Sequence, residues 1–210
     1  MSKNIFVTGI STDVGKTLVS AVLVEALKAD YWKPIQAGEL DYSDMDKVKG
    51  LVSNTVSKFF PNSYALQTPM SPHAAAEIEN ITIETDKINI PQTTNNTLVI
   101  EGAGGILVPI NNTQTILDII PKDAFVIVVS RHYLGSINHT LMTLELLKQK
   151  GFKIGIIFSG DEHKSTEDII KKMSGVPVIA RVSEQAVVDK STITTLSKEL
   201  QNIHLKEFII

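Results

Sequence analysis

The sequence contains no cysteine. That absence excludes a disulfide, a thiolate metal site and a cysteine nucleophile, and it agrees with a reducing compartment. Positive charge is not in excess either: 20 Lys and Arg stand against 23 Asp and Glu, a net charge of −3. No global field therefore draws the chain onto nucleic acid or an anionic membrane surface, and the basic residues do not cluster with aromatics into a nucleic-acid stripe. Long apolar runs are missing as well. Met1-Ser2-Lys3-Asn4 leads directly into the short run Ile5-Phe6-Val7, far below a signal-peptide core or a membrane span of about 20 apolar residues. A cytoplasmic protein with neither nucleic-acid nor membrane partners is expected. The five histidines, at 73, 132, 139, 163 and 204, show no metal-ligand spacing. No Gly-x-Ser-x-Gly elbow supports an esterase-type nucleophile. Repeats, low-complexity tracts and interdomain linkers are also lacking.

What is present is an ordinary globular composition, 43% hydrophobic and 20% charged over 210 residues. That length suits one compact domain, residues 1–210, burying roughly 70% of its unfolded surface. Apolar runs of strand length alternate with stretches of helical period, the pattern of a parallel sheet covered by helices. The runs predict strands at Ile5 to Thr8, Tyr31 to Ile35, Leu98 to Glu101, Phe125 to Ser130, Ile154 to Phe158 and Val178 to Val182. Helices are expected at Lys16 to Leu27, about Asp44 to Phe60, Ile137 to Lys150, Thr166 to Met173 and Ser191 to Ile203. The fold class is therefore α/β: a doubly wound, mostly parallel sheet with helices on both faces. Residues Pro61 to Thr97 are irregular, broken by Pro61, Pro69, Pro72 and Pro91, with a short helix opening at Pro72. Such an insertion belongs above the carboxyl edge of the strands, where ligands bind.

The strongest chemical signal is Ile5-Phe6-Val7-Thr8-Gly9-Ile10-Ser11-Thr12-Asp13-Val14-Gly15-Lys16-Thr17-Leu18: a buried strand, a loop and a helix start. Phosphates need a concave array of backbone N–H groups at a helix amino terminus, a lysine for the outer phosphates and a hydroxyl for magnesium. Gly15, Lys16 and Thr17 supply these, although five residues separate Gly9 from Gly15 where the usual loop has four. The fold is thus of the P-loop NTPase type. A second signal is Leu98-Val99-Ile100-Glu101-Gly102-Ala103-Gly104-Gly105. Its strand delivers an acidic residue to the carboxyl end, suited to magnesium directly or through water, and its glycines admit a ligand to the backbone. Leu107 stands where a dinucleotide fingerprint needs its third glycine, so that reading is discarded.

Three further segments admit two readings. In Tyr31-Trp32-Lys33-Pro34-Ile35-Gln36-Ala37-Gly38 the lysine either meets an anion or snorkels to the surface, and Pro34 predicts that the strand ends nearby. Ser43-Asp44-Met45-Asp46 either caps a helix or contributes carboxylates to the site. Gly135-Ser136-Ile137-Asn138-His139 opens a long helix, giving either ordinary packing or a second anion-ready amino terminus.

Taken in order with Ser71-Pro72-His73, these segments resemble the dethiobiotin synthetase family from residue 3 to about 145. The resemblance implies ATP-dependent closure of a cyclic urea from 7,8-diaminononanoate and carbon dioxide or bicarbonate, by way of a carbamate and a carbamic-phosphoric anhydride. ATP and Mg2+ are then required. By motif, Lys16 would hold the outer phosphates and Lys33 would stabilise the carbamate and the migrating phosphoryl group. Thr17, Asp44 and Glu101 would surround magnesium, while Thr12 would touch the diamine or carbamate together with Lys33, Gln36 and Ala37. The nucleotide would lie along Asp13, Val14, Gly15, Lys16, Thr17 and Leu18, against Glu101, Gly102, Ala103 and Gly104, with its base near Gly160, Asp161, Val182, Ser183 and Glu184. The substrate's tail carboxylate would meet Gly135, Ser136, Ile137 and Asn138 at the interface of a homodimer.

The chain departs from that family at Ala37, where Ser or Thr is common. It also lacks the usual Asn-Asp pair near Ser159-Gly160-Asp161 and the proline of the loop near Val182-Ser183-Glu184, so the resemblance leaves ATP, GTP or a relaxed base preference open. Two alternatives carry the same sheet. A partition or switch ATPase that binds a protein partner has a more glycine-rich loop with a signature lysine, and the ending Lys206 to Ile210 is short for a membrane-targeting tail. A cobyrinate-type amidating synthetase normally brings a cysteine-dependent glutaminase domain.

Overall fold

A computed structural model of the chain describes residues 3–202. Its main sheet has seven strands in the order β4-β2-β6-β1-β7-β8-β9, and every pairing is parallel. The central strands are β1 (Lys3–Gly9), β6 (Thr97–Gly105), β7 (Phe125–Arg131) and β8 (Lys153–Ser159). They are near-continuous apolar runs because helices cover both of their faces. Phe6, Leu98, Val128 and Phe158 are fully buried, each contributing about 1.5–3 kcal/mol relative to exposure.

From β1 the chain forms α1 (Lys16–Leu27), then β2 (Asp30–Trp32), α2 (Asp44–Leu51) and the edge strand β4 (Phe59–Phe60). It returns to insert β6 between β2 and β1, then builds outward on the other side through β7, α4 (Ser136–Gln149), β8, α5 (Lys164–Ser174), β9 (Val178–Val182) and α6 (Lys190–Asn202). Parallel crossovers are right-handed, so reversing direction at β1 moves the helices to the opposite face. Helices α1, α2 and α6 pack together, and α4 packs on α5. That reversal leaves a crevice at the carboxyl end of β1, where ligands bind in open α/β sheets.

Four expected elements differ, the first only in length: the strand expected at Leu98 to Glu101 runs on to Gly105, which puts Glu101 in its middle rather than at its carboxyl end. The strand expected at Tyr31 to Ile35 breaks after Trp32, because Pro34 has no N–H to give to a ladder. Instead Asn62 donates to the Lys33 carbonyl at 2.7 Å, and the Pro34 carbonyl accepts from Ser63 and Tyr64 at 2.8 and 3.1 Å. The chain then enters β3 (Ile35–Ala37), which pairs with β5 (Tyr64–Leu66) in a separate two-stranded sheet. The helix expected from Asp44 to Phe60 stops at Leu51. Beyond it Asn54 Oδ1 accepts from Val56 and Ser57, and Glu25 of α1 accepts from Ser53 and Asn54, local bonds that compete with helix. The segment expected to be irregular also holds a strand, β5, beside the short helix expected at Pro72, which forms as α3 (Pro72–Ile78) with proline in its first turn. Ile203 and the ending Lys206 to Ile210 lie outside the described residues.

Candidate active site

The loop 10–15 joins β1 to α1. Gly15 takes the position before the first helical residue with φ 92°, a conformation L side chains rarely adopt. A Cβ there would stand 2.6 Å from Ser159 Oγ, which also sets the carboxyl end of β8 against the loop. No side chain caps α1 and no acidic residue occupies its first turn, so its leading N–H groups are left for an anion. Lys16, only 8% exposed, folds back to donate to the Ser11 carbonyl at 3.2 Å.

Pairing in the main sheet brings a second group to the same place. Tyr31 lies opposite Val99 on parallel strands, so the two-residue period sends Tyr31, Val99 and Glu101 toward one face, and Lys33 follows directly beyond the end of β2. Glu101 is 1% exposed. Its Oε1 accepts from Thr17 Oγ1 at 2.9 Å and Lys33 Nζ at 3.4 Å, and its Oε2 accepts from the Tyr31 hydroxyl at 3.0 Å. Lys33, 6% exposed, also donates to Asp44, whose other oxygen takes Lys47 at 3.2 Å. The snorkelling reading of Lys33 is therefore excluded: it bridges two carboxylates inside the protein.

The two lysines differ electrostatically. Burial pulls the Lys16 ammonium below the usual lysine value, with Lys33 adding to the depression and Glu101 opposing it. Burial also acts to lower Lys33, but Glu101 and Asp44 outweigh it and hold its ammonium above the usual value. Asp44 is correspondingly held low: burial works against its charge, and Lys33 and Lys47 overcome that. Burial and the Glu101 charge raise the Tyr31 hydroxyl well above the ordinary tyrosine value, keeping it a donor.

At the start of α2 the two readings divide between neighbouring residues. Ser43 and Asp46 form a reciprocal capping box, while Asp44 faces Lys33. Gln36 braces this turn, donating to the Gly38 carbonyl at 3.0 Å and accepting from the Asp44 N–H at 3.4 Å. Its amide is engaged within the protein, and half-buried Ala37 follows it. A magnesium ion takes oxygen ligands, and Thr17 Oγ1 and Glu101 Oε1, hydrogen-bonded at 2.9 Å, set two such oxygens side by side. Among the described residues no cluster of three or more His, Asp or Glu forms a metal site, so nucleotide phosphates and water would complete the coordination.

On the other side of the loop, Thr12 and Asp13 are exposed. A Cβ on Gly104 would come within 3.9 Å of Thr12 Oγ1. There a cavity of about 420 Å³ is bounded by Ser11, Thr12, Gly105, Pro109, His139 and Met142, among others. From α4 its lining comes from His139, Met142, Thr143 and Leu146; Gly135 to Asn138, at the opening of that helix, are not among the lining residues. Gly135 (φ 100°) precedes α4 without a side-chain cap, Ser136 is buried, and Leu134 and Ile137 are exposed. The first turn of α4, like that of α1, holds no acidic residue.

Gly160, Asp161, Val182, Ser183 and Glu184 do not join the lysine cluster. They gather at the carboxyl ends of β8 and β9, where Gly160 N–H donates to the Val182 carbonyl at 2.8 Å. Arg131 and Glu184 pair at 2.7 Å there, both exposed. Behind them buried Glu167 of α5 meets Arg181, His132 Nε2 at 2.9 Å and the His163 N–H at 3.2 Å. Arg181 also donates to the Gly160 carbonyl at 3.1 Å. Burial opposes the Glu167 charge, but hydrogen bonds from Arg181 and His132 hold its carboxyl below the usual glutamate range. Sequence reasoning missed Tyr31, His139 and the Glu167 cluster. Only Tyr31 left a signal, its two-residue offset from Lys33.

A family model described as an AAA domain matches residues 3–192. The ATP-dependent dethiobiotin synthetase BioD of Christiangramia forsetii is 56% identical over 202 residues, 96% of this chain and 97% of that one. The enzymes of the same name from Cytophaga hutchinsonii and Rhodopseudomonas palustris are 46% and 40% identical over 200 residues, each covering 94% of this chain and 97% and 95% of theirs. Among solved structures, a ParA family ATPase from Chlorobium tepidum aligns with TM-score 0.55 at 14% identity, covering 99% of this chain and 94% of that one. The cell-division protein MinD of Aquifex aeolicus aligns with TM-score 0.56 at 11% identity, covering 96% and 97%. At such identities these two speak for the sheet and its loop alone.

Proposed function

Since this chain belongs to the ATP-dependent dethiobiotin synthetase family, we propose that its residues 1–210 act as one P-loop domain that closes 7,8-diaminononanoate and carbon dioxide into dethiobiotin at the expense of ATP. One amine of the substrate forms a C–N bond to carbon dioxide and loses a proton, giving a carbamate. A carbamate oxygen then attacks the terminal phosphorus, and ADP leaves. The second amine attacks the carbonyl carbon of the mixed anhydride, loses a proton and expels phosphate, closing the ring.

Bringing a carbamate to a triphosphate crowds like charges, and stabilising the charge that moves between them is the main demand on the protein. The observation that carries the reading is the convergence of Lys16, Lys33, Thr17, Glu101 and Asp44 on one crevice. Lys16 and the leading N–H groups of α1 bind the phosphates. Lys33 is kept charged by its two carboxylates and offers that charge to the carbamate and the transferred group. Thr17, Glu101 and Asp44 hold magnesium, which neutralises phosphate charge when bound. Thr12 and Ala37 border the diamine, and the first turn of α4, Gly135 to Asn138, takes its tail carboxylate. The exposed apolar side chains Leu134 and Ile137, at the start of α4, support a homodimer closing over that turn. The base lies toward Gly160, Asp161 and Val182 to Glu184. No helix among the described residues is long and apolar enough to cross a membrane, in keeping with our assignment to the cytoplasm.

The test is direct. Purified protein given the diamine, bicarbonate, Mg2+ and ATP yields a product of dethiobiotin's mass together with equimolar ADP and phosphate. ATP hydrolysis without ring closure overturns the assignment and favours the switch ATPases that share the fold.

A further inference from the structure

Glu101 divides its two oxygens. Oε1 faces Thr17 and Lys33, the groups at the phosphate end of the crevice, and Oε2 faces only the Tyr31 hydroxyl, at 3.0 Å. Tyr31 is fully buried on β2, its ring tilted against Phe59 of β4 at a centroid distance of 6.2 Å. Glu101 is 1% exposed, and an unpaired buried oxygen is costly. The phenol satisfies Oε2 and, being held by its own packing, adds a second anchor to the plane in which Oε1 is offered.

We propose that Tyr31 is a positioning residue for divalent-cation binding, orienting Glu101 so that Oε1 stands beside Thr17 Oγ1 as a cation-ready pair. Groups behind a metal-binding carboxylate act through its orientation and basicity, and losing one weakens the metal complex without touching the metal. The Tyr31 hydroxyl meets Glu101 through Oε2 and not through the oxygen that Thr17 and Lys33 share. The inference rests on the reading of Glu101 as a metal-binding carboxylate.

The experiment measures Mn2+ bound to the protein with a non-hydrolysable ATP analogue, from loss of the free-Mn2+ electron paramagnetic resonance signal. Tyr31→Phe keeps the ring and removes only the hydroxyl. It is expected to raise the Mn2+ dissociation constant about tenfold while leaving metal-free binding of the analogue unchanged. Phe59→Leu loosens the ring's packing but spares the hydroxyl, and it is expected to lower thermal stability with little change in Mn2+ affinity. Equal weakening by both variants, or none from Tyr31→Phe, overturns the proposal. Glu101→Gln separates the premise: if it leaves Mn2+ affinity unchanged, the metal reading of Glu101 falls. If it weakens Mn2+ while Tyr31→Phe does not, the role of Tyr31 falls alone.

Discussion

Around the ends of β1 and β2 and the neighbouring middle of β6 the ionic side chains Lys16, Lys33 and Glu101 are buried and answer one another. At the tips of β7, β8 and β9 the charges separate into an exposed pair, Arg131 with Glu184, and a buried knot around Glu167 set behind it. The first arrangement suits chemistry, because fixed charges in a water-poor site act strongly on charge that moves. The second suits holding: exposed pairs contribute little by themselves, and the knot ties a loop down through the Gly160 carbonyl. The same sheet edge thus carries a reacting half and a gripping half.

The contrast yields graded expectations. Lys33→Ala should lower the rate of dethiobiotin formation by about 10²–10³-fold, with helical and strand content retained in circular dichroism; near-normal turnover would place the reacting half elsewhere. Next in size, Asp44→Asn and Glu101→Gln should raise the Mg2+ concentration for half-maximal rate by about tenfold, and unchanged Mg2+ titrations reassign both carboxylates to structure.

On the gripping half, Glu167→Gln should reduce stability in urea by about 2 kcal/mol at neutral pH and leave the Mg2+ requirement unaltered. Its pH dependence has a definite sign. The Glu167 carboxyl is held low in the folded protein, so its contribution is full above the ordinary glutamate value and vanishes as pH falls through the depressed one. The gap between the wild type and the variant should therefore narrow in acid; a gap constant down to acid unfolding removes the charge from the explanation. Smallest of all, Glu184→Ala should change stability by less than about 1 kcal/mol while shifting the ratio of ATP-supported to GTP-supported rate. A shifted Mg2+ requirement there would merge the two halves.

The reacting half was legible in the sequence because its chemistry sits on short, ordered stretches. A strand, a Gly-Lys-Thr and an acidic strand end need little beyond period and spacing to be read together. The lysine after the second strand was readable as a choice and became definite only with its partners, Glu101 on the neighbouring strand and Asp44 at the start of α2. Ser43 and Asp44 show the limit well: adjacent residues of the same capping type have different partners, which sequence does not distinguish. The overlong second helix failed because Glu25, distant in the chain, claims the amides of Ser53 and Asn54. The gripping half left almost no trace, for Glu167 of α5, Arg181 of β9 and His132 just beyond β7 are brought together only by the folded sheet.

The break after Trp32 has a mechanical meaning. Lys33 is mounted on a seam, with the main sheet on one side and the β3–β5 pair on the other, and Asn62 rivets its carbonyl from the second piece. Its main chain is therefore located by two sheets at once, whereas the loop that leads into α1 hangs from β1 in the main sheet.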